Sequence, residues 1–236
     1  MTEYALYLES GPRRRTTMVH VLDLLGCIAQ GATTQAALEN TPEAIRAYLR
    51  LLHRHGEAVK PESQFTVAVV SHIMEGNWLG YGDPTPGFAP DLQPLSANDL
   101  EIYLRRLTWL RADLLKSIRN LPRKRLVAKP ASGRSIHQIL DHVAGSECVY
   151  LRYLVGKVDG LSDALRAVTS PDDLPAALTR LWQISYARLE SLTAAERKQS
   201  VKHGQITWTA RRAFRRLLEH DWEHLLELSE RLNGDR

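Results

Sequence analysis

Apolar residues change their spacing about a third of the way along the chain. Up to residue 73 they form short runs of aromatic and β-branched side chains. Tyr4 to Leu8 (YALYL) and Thr16 to Leu22 (TTMVHVL) are separated by Ser10, Gly11, Pro12 and a basic triplet, Arg13 to Arg15, which predicts a β-hairpin. A third short stretch spans Gly26 to Ala29. Thr33 then caps a predicted helix running to about His53, with Ala37, Ala44, Ile45, Tyr48, Leu49 and Leu52 on one stripe. Pro42 lies inside this helix, and its missing amide should bend or loosen it there. Phe65 to Ile73 (FTVAVVSHI) supplies a last strand, so the order β-β-β-α-β predicts an α+β layer with one helix on a small sheet.

From Ser96 onward the period is helical. Ser96 and Asp99 form an acidic variant of the capping box, and Leu100, Tyr103, Leu104, Leu107, Leu110, Leu114, Ile118 and Leu121 follow at helical spacing. A second helix starts near Ser135 and carries Ile139, His142, Val143, Ser146, Val149, Tyr150 and Tyr153. Ser170-Pro171-Asp172-Asp173 signals the start of a third, and the fourth covers about Thr209 to Leu232. Four amphipathic helices of this length predict an all-α four-helix bundle. Between the two patterns, Glu75 to Pro94 holds four of the 11 prolines and four of the 14 glycines, the composition of a boundary. The expected organisation is therefore an α+β domain at 1–74, a Pro/Gly-rich connection at 75–95 and a bundle at 96–236. Trp78, Tyr81 and Phe88 predict that the connection packs on the bundle rather than swinging freely.

Composition narrows the chemistry. With 44% hydrophobic and 25% charged residues the chain reads as a soluble globular protein, and no apolar run approaches the roughly 18 residues of a membrane helix. The basic cluster follows the first apolar stretch, opposite to a signal peptide, so a cytoplasmic protein is expected. The net charge of +4 conceals a division: residues 1–95 carry net −3 and residues 96–236 net +7. The clusters Arg123 to Arg125 and Arg211, Arg212, Arg215 and Arg216 could meet an anion. Without interleaved aromatics or a recognition motif they are expected to be solvated faces, and a nucleic-acid partner is not expected. Cys27 and Cys148 are too far apart for a CxxC motif, which leaves histidine and carboxylate as metal ligands.

Histidine supplies the candidates. His220 and His224 stand four apart, so their rings lie on one helix face at a separation from which two imidazoles reach the same cation. Leu217, His224 and Leu228 share the inward stripe with His220 beside it, and His142 occupies a comparable stripe between Ile139 and Ser146. Three imidazoles facing a bundle interior make an open metal site of the catalytic type; the alternative is three hydrogen-bonded, inert polar residues. Other residues carry less weight. His20 is expected to be an exposed or hydrogen-bonded strand residue, His137 to face away, His203 to be a solvated loop residue and Cys148 a buried thiol. Glu147 is open between a surface charge and an acceptor near the ligands.

Two resemblances follow from these residues. Leu25 to Leu49 (LGCIAQGATTQAALENTPEAIRAYL) resembles the signature of the HicB-like antitoxin domain, with Leu25 standing where that family usually has proline. The resemblance implies a reduced RNase H-like fold that binds a toxin or another protein partner and has no nuclease activity. The strands agree with this, offering almost no internal carboxylates to converge on magnesium. His142 to Glu147 (HxxxxE) and His220 to His224 (HDWEH) resemble the DinB/YfiT-like superfamily over about residues 96–236. That resemblance implies a four-helix bundle in which His142, His220 and His224 bind a divalent metal, zinc or nickel, for hydrolysis or thiol S-transfer on a small-molecule substrate. The last helix departs from the common form by following the final ligand with Leu225, Leu226 and Glu227. A non-enzymatic, antitoxin-like interaction protein with a structural or sensing metal site is the other class of function. A homodimer, through a sheet edge or a helix face, fits either.

Overall fold

The computed structural model describes residues 1–76, 78–82 and 85–234. It divides into two compact units: residues 1–93 together with 214–219, and the rest of the chain. Among the described residues, no helix is long and apolar enough to cross a membrane.

The first unit contains β1 (Thr2–Ser10), β2 (Arg15–Val21), β3 (Cys27–Thr33), α1 (Thr34–Arg54) and β4 (Phe65–Ile73), the element order that the apolar pattern predicts. The sheet order is β3-β2-β1-β4, with β1 antiparallel to β2 and parallel to β4. A parallel pair needs a long crossover, and α1 supplies it. Alternation sorts the side chains. Leu6, Leu8, Val19 and Val21 are buried on one face, while Tyr7, Glu9 and His20 occupy the other. The Thr33 hydroxyl accepts from the Ala36 amide at 3.1 Å, which starts α1, and the helix continues through Pro42. Its inward stripe buries Ala37, Ile45, Tyr48, Leu49 and Leu52. Before β3 the chain turns at Gly26, whose φ is +106° and where a Cβ would lie 2.3 Å from the Tyr48 hydroxyl. Leu25, with φ −48°, adopts backbone close to that of a proline, and its carbonyl accepts from that hydroxyl at 2.8 Å.

The proline-rich connection packs on the β1/β2 face as well as on Arg215, a residue of the expected bundle. Residues 75–93 belong to the first unit, where Leu79 and Phe88 are buried. Phe88 packs on Tyr7 and His20, with ring centroids 5.3 and 5.1 Å apart, and the Gly80 amide donates to Glu9 at 3.0 Å. The β1/β2 face that α1 leaves open presents two aromatic rings and a carboxylate, and this segment covers them. Trp78 and Tyr81 stay exposed.

The arginines differ from expectation. Arg215 and Arg216 are buried in the first unit, not solvated. Arg215 makes a two-pronged pair with Asp91 (2.8 and 3.0 Å), a 3.0 Å pair with Glu219 and a bond to the Pro86 carbonyl, with its guanidinium over the Phe88 ring. Glu219 also pairs with Arg216 at 3.0 Å and with His20 at 2.8 Å. Burial alone pushes the Glu219 carboxyl up, but Arg215, His20 and Arg216 outweigh it and hold it at about 2. His20 is thus a hydrogen-bonded strand residue, as expected, though a buried one.

The second unit is built on four long helices, α2 (Ala97–Ile118), α4 (Ile136–Val155), α6 (Leu174–Glu190) and α7 (Ala210–Gly234), of which α7 lends residues 214–219 to the first unit. Two short helices, α3 (Arg123–Val127) and α5 (Leu161–Val168), and a small hairpin, β5 (Val201–His203) with β6 (Ile206–Trp208), join them. These short elements escape the sequence pattern because none offers more than three buried positions, too few to show a period. One consequence concerns the third long helix. It starts at Leu174 after Asp173, not at Ser170, with Pro175 in its first turn. Arg212 too is buried rather than solvated: it donates to the Thr207 carbonyl at 2.8 Å and lies over the Trp208 ring. Arg123 and Lys124 are exposed as expected.

Both cysteines are buried. Burial, then the neighbouring Glu147 charge, push the Cys148 thiol up to about 12, and burial above all pushes Cys27 well above the usual thiol range. Neither thiol should react with a disulfide probe at pH 8 in the folded protein, and both should react in guanidinium. Rapid labelling of Cys27 or Cys148 without denaturant would contradict this burial.

Candidate metal centre

The site is assembled from two helices of the second unit. Ser135 starts α4 with a reciprocal cap: its hydroxyl accepts from the Gln138 amide at 3.2 Å, and the Gln138 side chain accepts from the Ser135 amide at 3.0 Å. This start places His142 two turns along the helix. On α7 the Thr209 hydroxyl accepts from the Arg212 amide at 3.1 Å, and the helix then runs unbroken through His220 and His224.

The three histidines predicted from spacing come together. Nε2 of His220 lies 3.1 Å from Nε2 of His142 and 3.3 Å from Nε2 of His224, and one nitrogen from each ring falls within 4.8 Å of the others. His220 and His224 are buried and His142 is half-buried. Two ligands about 2.1 Å from a tetrahedral zinc are roughly 3.4 Å apart, so the two close separations are those of nitrogens sharing one cation. Protonation states agree with this fit. Burial first, then the charges of Arg134 and His224, lower His142 to about 4, so its ring is neutral at neutral pH and can offer a lone pair. Nδ1 of His224 lies 2.7 Å from Oε2 of Glu227; with the proton on Nδ1, its Nε2 is left as an acceptor facing the other two rings. That bond is also the main reason Glu227 is held below the usual carboxylate range.

The surroundings fix the helices. Tyr150 approaches His220 edge-on at 6.1 Å between centroids and stacks on Trp208 at 5.5 Å. Arg111 of α2 pairs with Glu147 of α4 at 2.8 Å and with Asp221 of α7 at 3.3 Å, all three buried. Burial, and then the charge of Glu147, raise Asp221 to about 7 against the pull of Arg111; burial likewise raises Glu147. Glu147 is therefore not a surface charge but the α4 member of this buried set.

The weaker candidates lie elsewhere. His137 bonds to the Val168 carbonyl at 3.0 Å. His203 sits in β5, not in a loop, bonded to the Tyr153 carbonyl at 2.9 Å with its ring against Tyr153. Arg111 and Asp221 were not among the residues that the sequence singled out. A signal existed for Arg111, which shares the inward positions with Leu107, Leu114 and Ile118 at helical spacing. Asp221 gave none, since an acid between two histidines reads as an outward residue.

Comparison with known proteins matches each part of the chain separately. A family model described as the DinB superfamily matches residues 106–228. The N-terminal part is 40% identical over 52 residues to a UPF0150 protein of Thermoplasma acidophilum, covering 22% of this chain and 75% of that protein. No solved structure matches. Residues 106–228, which contain all three clustered histidines, thus make the chain a member of the DinB superfamily, and its N-terminal part belongs with the HicB-like UPF0150 proteins.

Proposed function

We propose that the protein is a metal-dependent enzyme in which His142, His220 and His224 hold a divalent ion, zinc or nickel. The observation that carries this reading is the convergence of three Nε2 atoms, two pairs of them at 3.1 and 3.3 Å. When bound, the ion supplies Lewis acidity, lowering the pKa of a water or thiol or polarising a carbonyl, for hydrolysis or thiol transfer. The protein's own part is positional. Glu227 orients the His224 ring, and burial keeps His142 unprotonated and ready to bind. Tyr150 and Trp208 wall the His220 side with aromatic surface that keeps water out. The substrate is a small molecule, and the HicB-like part binds a protein partner.

The test is the metal content of protein purified without a metal-affinity column. About one equivalent of zinc or nickel per chain is expected, retained unless one of the three histidines is replaced. Protein that takes up no zinc, nickel or manganese above trace would reject the reading.

The UPF0150 relationship favours a second reading, an antitoxin-like interaction protein whose metal site is structural or senses metal. A specific partner recovered by the full chain, and equally by a variant lacking all three histidines, would favour it. Turnover of a substrate that depends on those histidines would not.

A further inference from the structure

The histidine cluster is walled on one side and open on another. Tyr150 and Trp208 back His220, whereas His142 stays half-buried, so the cluster meets solvent beside α4. Two arginines stand at this end of the bundle. Arg134 directly precedes the Ser135 cap of α4, and Arg231 follows His224 by seven residues, two turns or about 10 Å further along the same face of α7. The backbone brings them together. Gly133 has a φ of +83°, and a Cβ there would lie 2.4 Å from Nη2 of Arg231, so the bare glycine lets that guanidinium settle against the residue next to Arg134.

Both charges reach the site. After burial, the charge of Arg134 is the strongest influence on the His142 ring. Behind its bond to His224 and its burial, the Glu227 carboxylate feels first the His224 ring, then Arg134, then Arg231. Neither arginine is spent on a structural partner. Among the described residues, Arg134 and Arg231 close no ion pair and donate no hydrogen bond, whereas Arg111, Arg211, Arg215 and Arg216 each hold a carboxylate. Two like charges kept near one opening repel, and a bound anion relieves that repulsion. A guanidinium fork matches the planar carboxylate in particular. Glu227 sets one negative charge against the two positive ones, which suits a singly charged group.

We infer that Arg134 and Arg231 bind a carboxylate of the substrate and thereby hold its reacting group at the three histidines. This rests on the metal-dependent reading of the cluster and adds the substrate class: a small molecule whose carboxylate lies within about 10 Å of the group that meets the ion.

The test loads the full chain with zinc and titrates it by calorimetry with ω-mercaptoalkanoates of two to six methylenes, each compared with the mercapto-alcohol of the same length. The thiol engages the ion in both series, so only the carboxylate differs. At the best length the acid should bind at least about tenfold more tightly than the alcohol, as charge-assisted hydrogen bonds allow. Arg134→Gln/Arg231→Gln should reduce this preference to about twofold and leave the alcohols unaffected. The double variant should hold zinc at least as tightly as the wild type, because two positive charges near a dication have been removed. Should it fail to fold, the single variants decide, each lowering the preference about threefold. Zinc uptake without preference for the acid at any length would overturn the inference while leaving the metal site standing; no zinc uptake would reject both. A preference that survives in the variants, or loss of zinc from the double variant, would also overturn it.

Discussion

Replacement of His224 by alanine is expected to lower affinity for zinc by about two to three orders of magnitude, measured by competition with a chromophoric chelator. Four-ligand zinc sites bind with about 10–16 kcal/mol, so one ligand accounts for roughly 3–4 kcal/mol, and each 1.4 kcal/mol is tenfold. The helix should not suffer, because alanine is the stronger helix former. Glu227→Gln tests the same geometry more gently. It keeps the shape but removes the carboxylate that receives the His224 proton, a change worth about 10–100-fold in metal affinity. An H224A protein that binds zinc as tightly as the wild type would show that the three nitrogens do not share a cation.

The second large effect lies in the first unit. Arg215→Ala is expected to cost about 3–5 kcal/mol, the range for breaking a buried ion pair, because Asp91 and Glu219 both lose their principal counter-charge while buried. For a chain of this size that is a fall of roughly 6–20 °C in melting temperature, read by calorimetry. Acidity should act on the same cluster. Glu219 is held at about 2, below its ordinary 4.5, so its stabilisation is complete above about pH 4.5 and is lost as the pH falls towards 2. Without Arg215 the Glu219 carboxyl rises, and acid unfolding should begin at a higher pH than in the wild type. An unchanged melting temperature in the variant would mean that the pairs contribute no net stability.

The sequence made the histidine cluster readable because i, i+4 spacing and an apolar stripe are local properties, and His142, His220 and His224 meet as that geometry predicts. The element order of the first unit was readable for the same reason: β4 matches its predicted range, and Thr33 caps α1. Charges were misread where their partners are distant in sequence. Arg215 and Asp91 are 124 residues apart, and Arg111 and Asp221 are 110 apart. Nothing local distinguishes an arginine that will meet such a partner from one that will meet water. For the aromatic connection, hydrophobicity announces that Phe88 packs but not that it meets the rings of Tyr7 and His20 as well as Arg215 of α7.

The continuity of α7 has a consequence for how this chain can vary. Glu219 completes a buried charge set and its immediate neighbour His220 is a candidate ligand, so consecutive residues of one uninterrupted helix serve separate tasks. Adding one residue to an α-helix turns everything beyond it by about 100°. An insertion or deletion between Arg215 and His220 would therefore rotate His220 and His224 out of register as a pair, although no functional side chain had been replaced. Substitutions along this stretch can be offset one at a time, but changes of length cannot. Natural variation in length is expected in the loops, and this part of α7 should keep a fixed residue count.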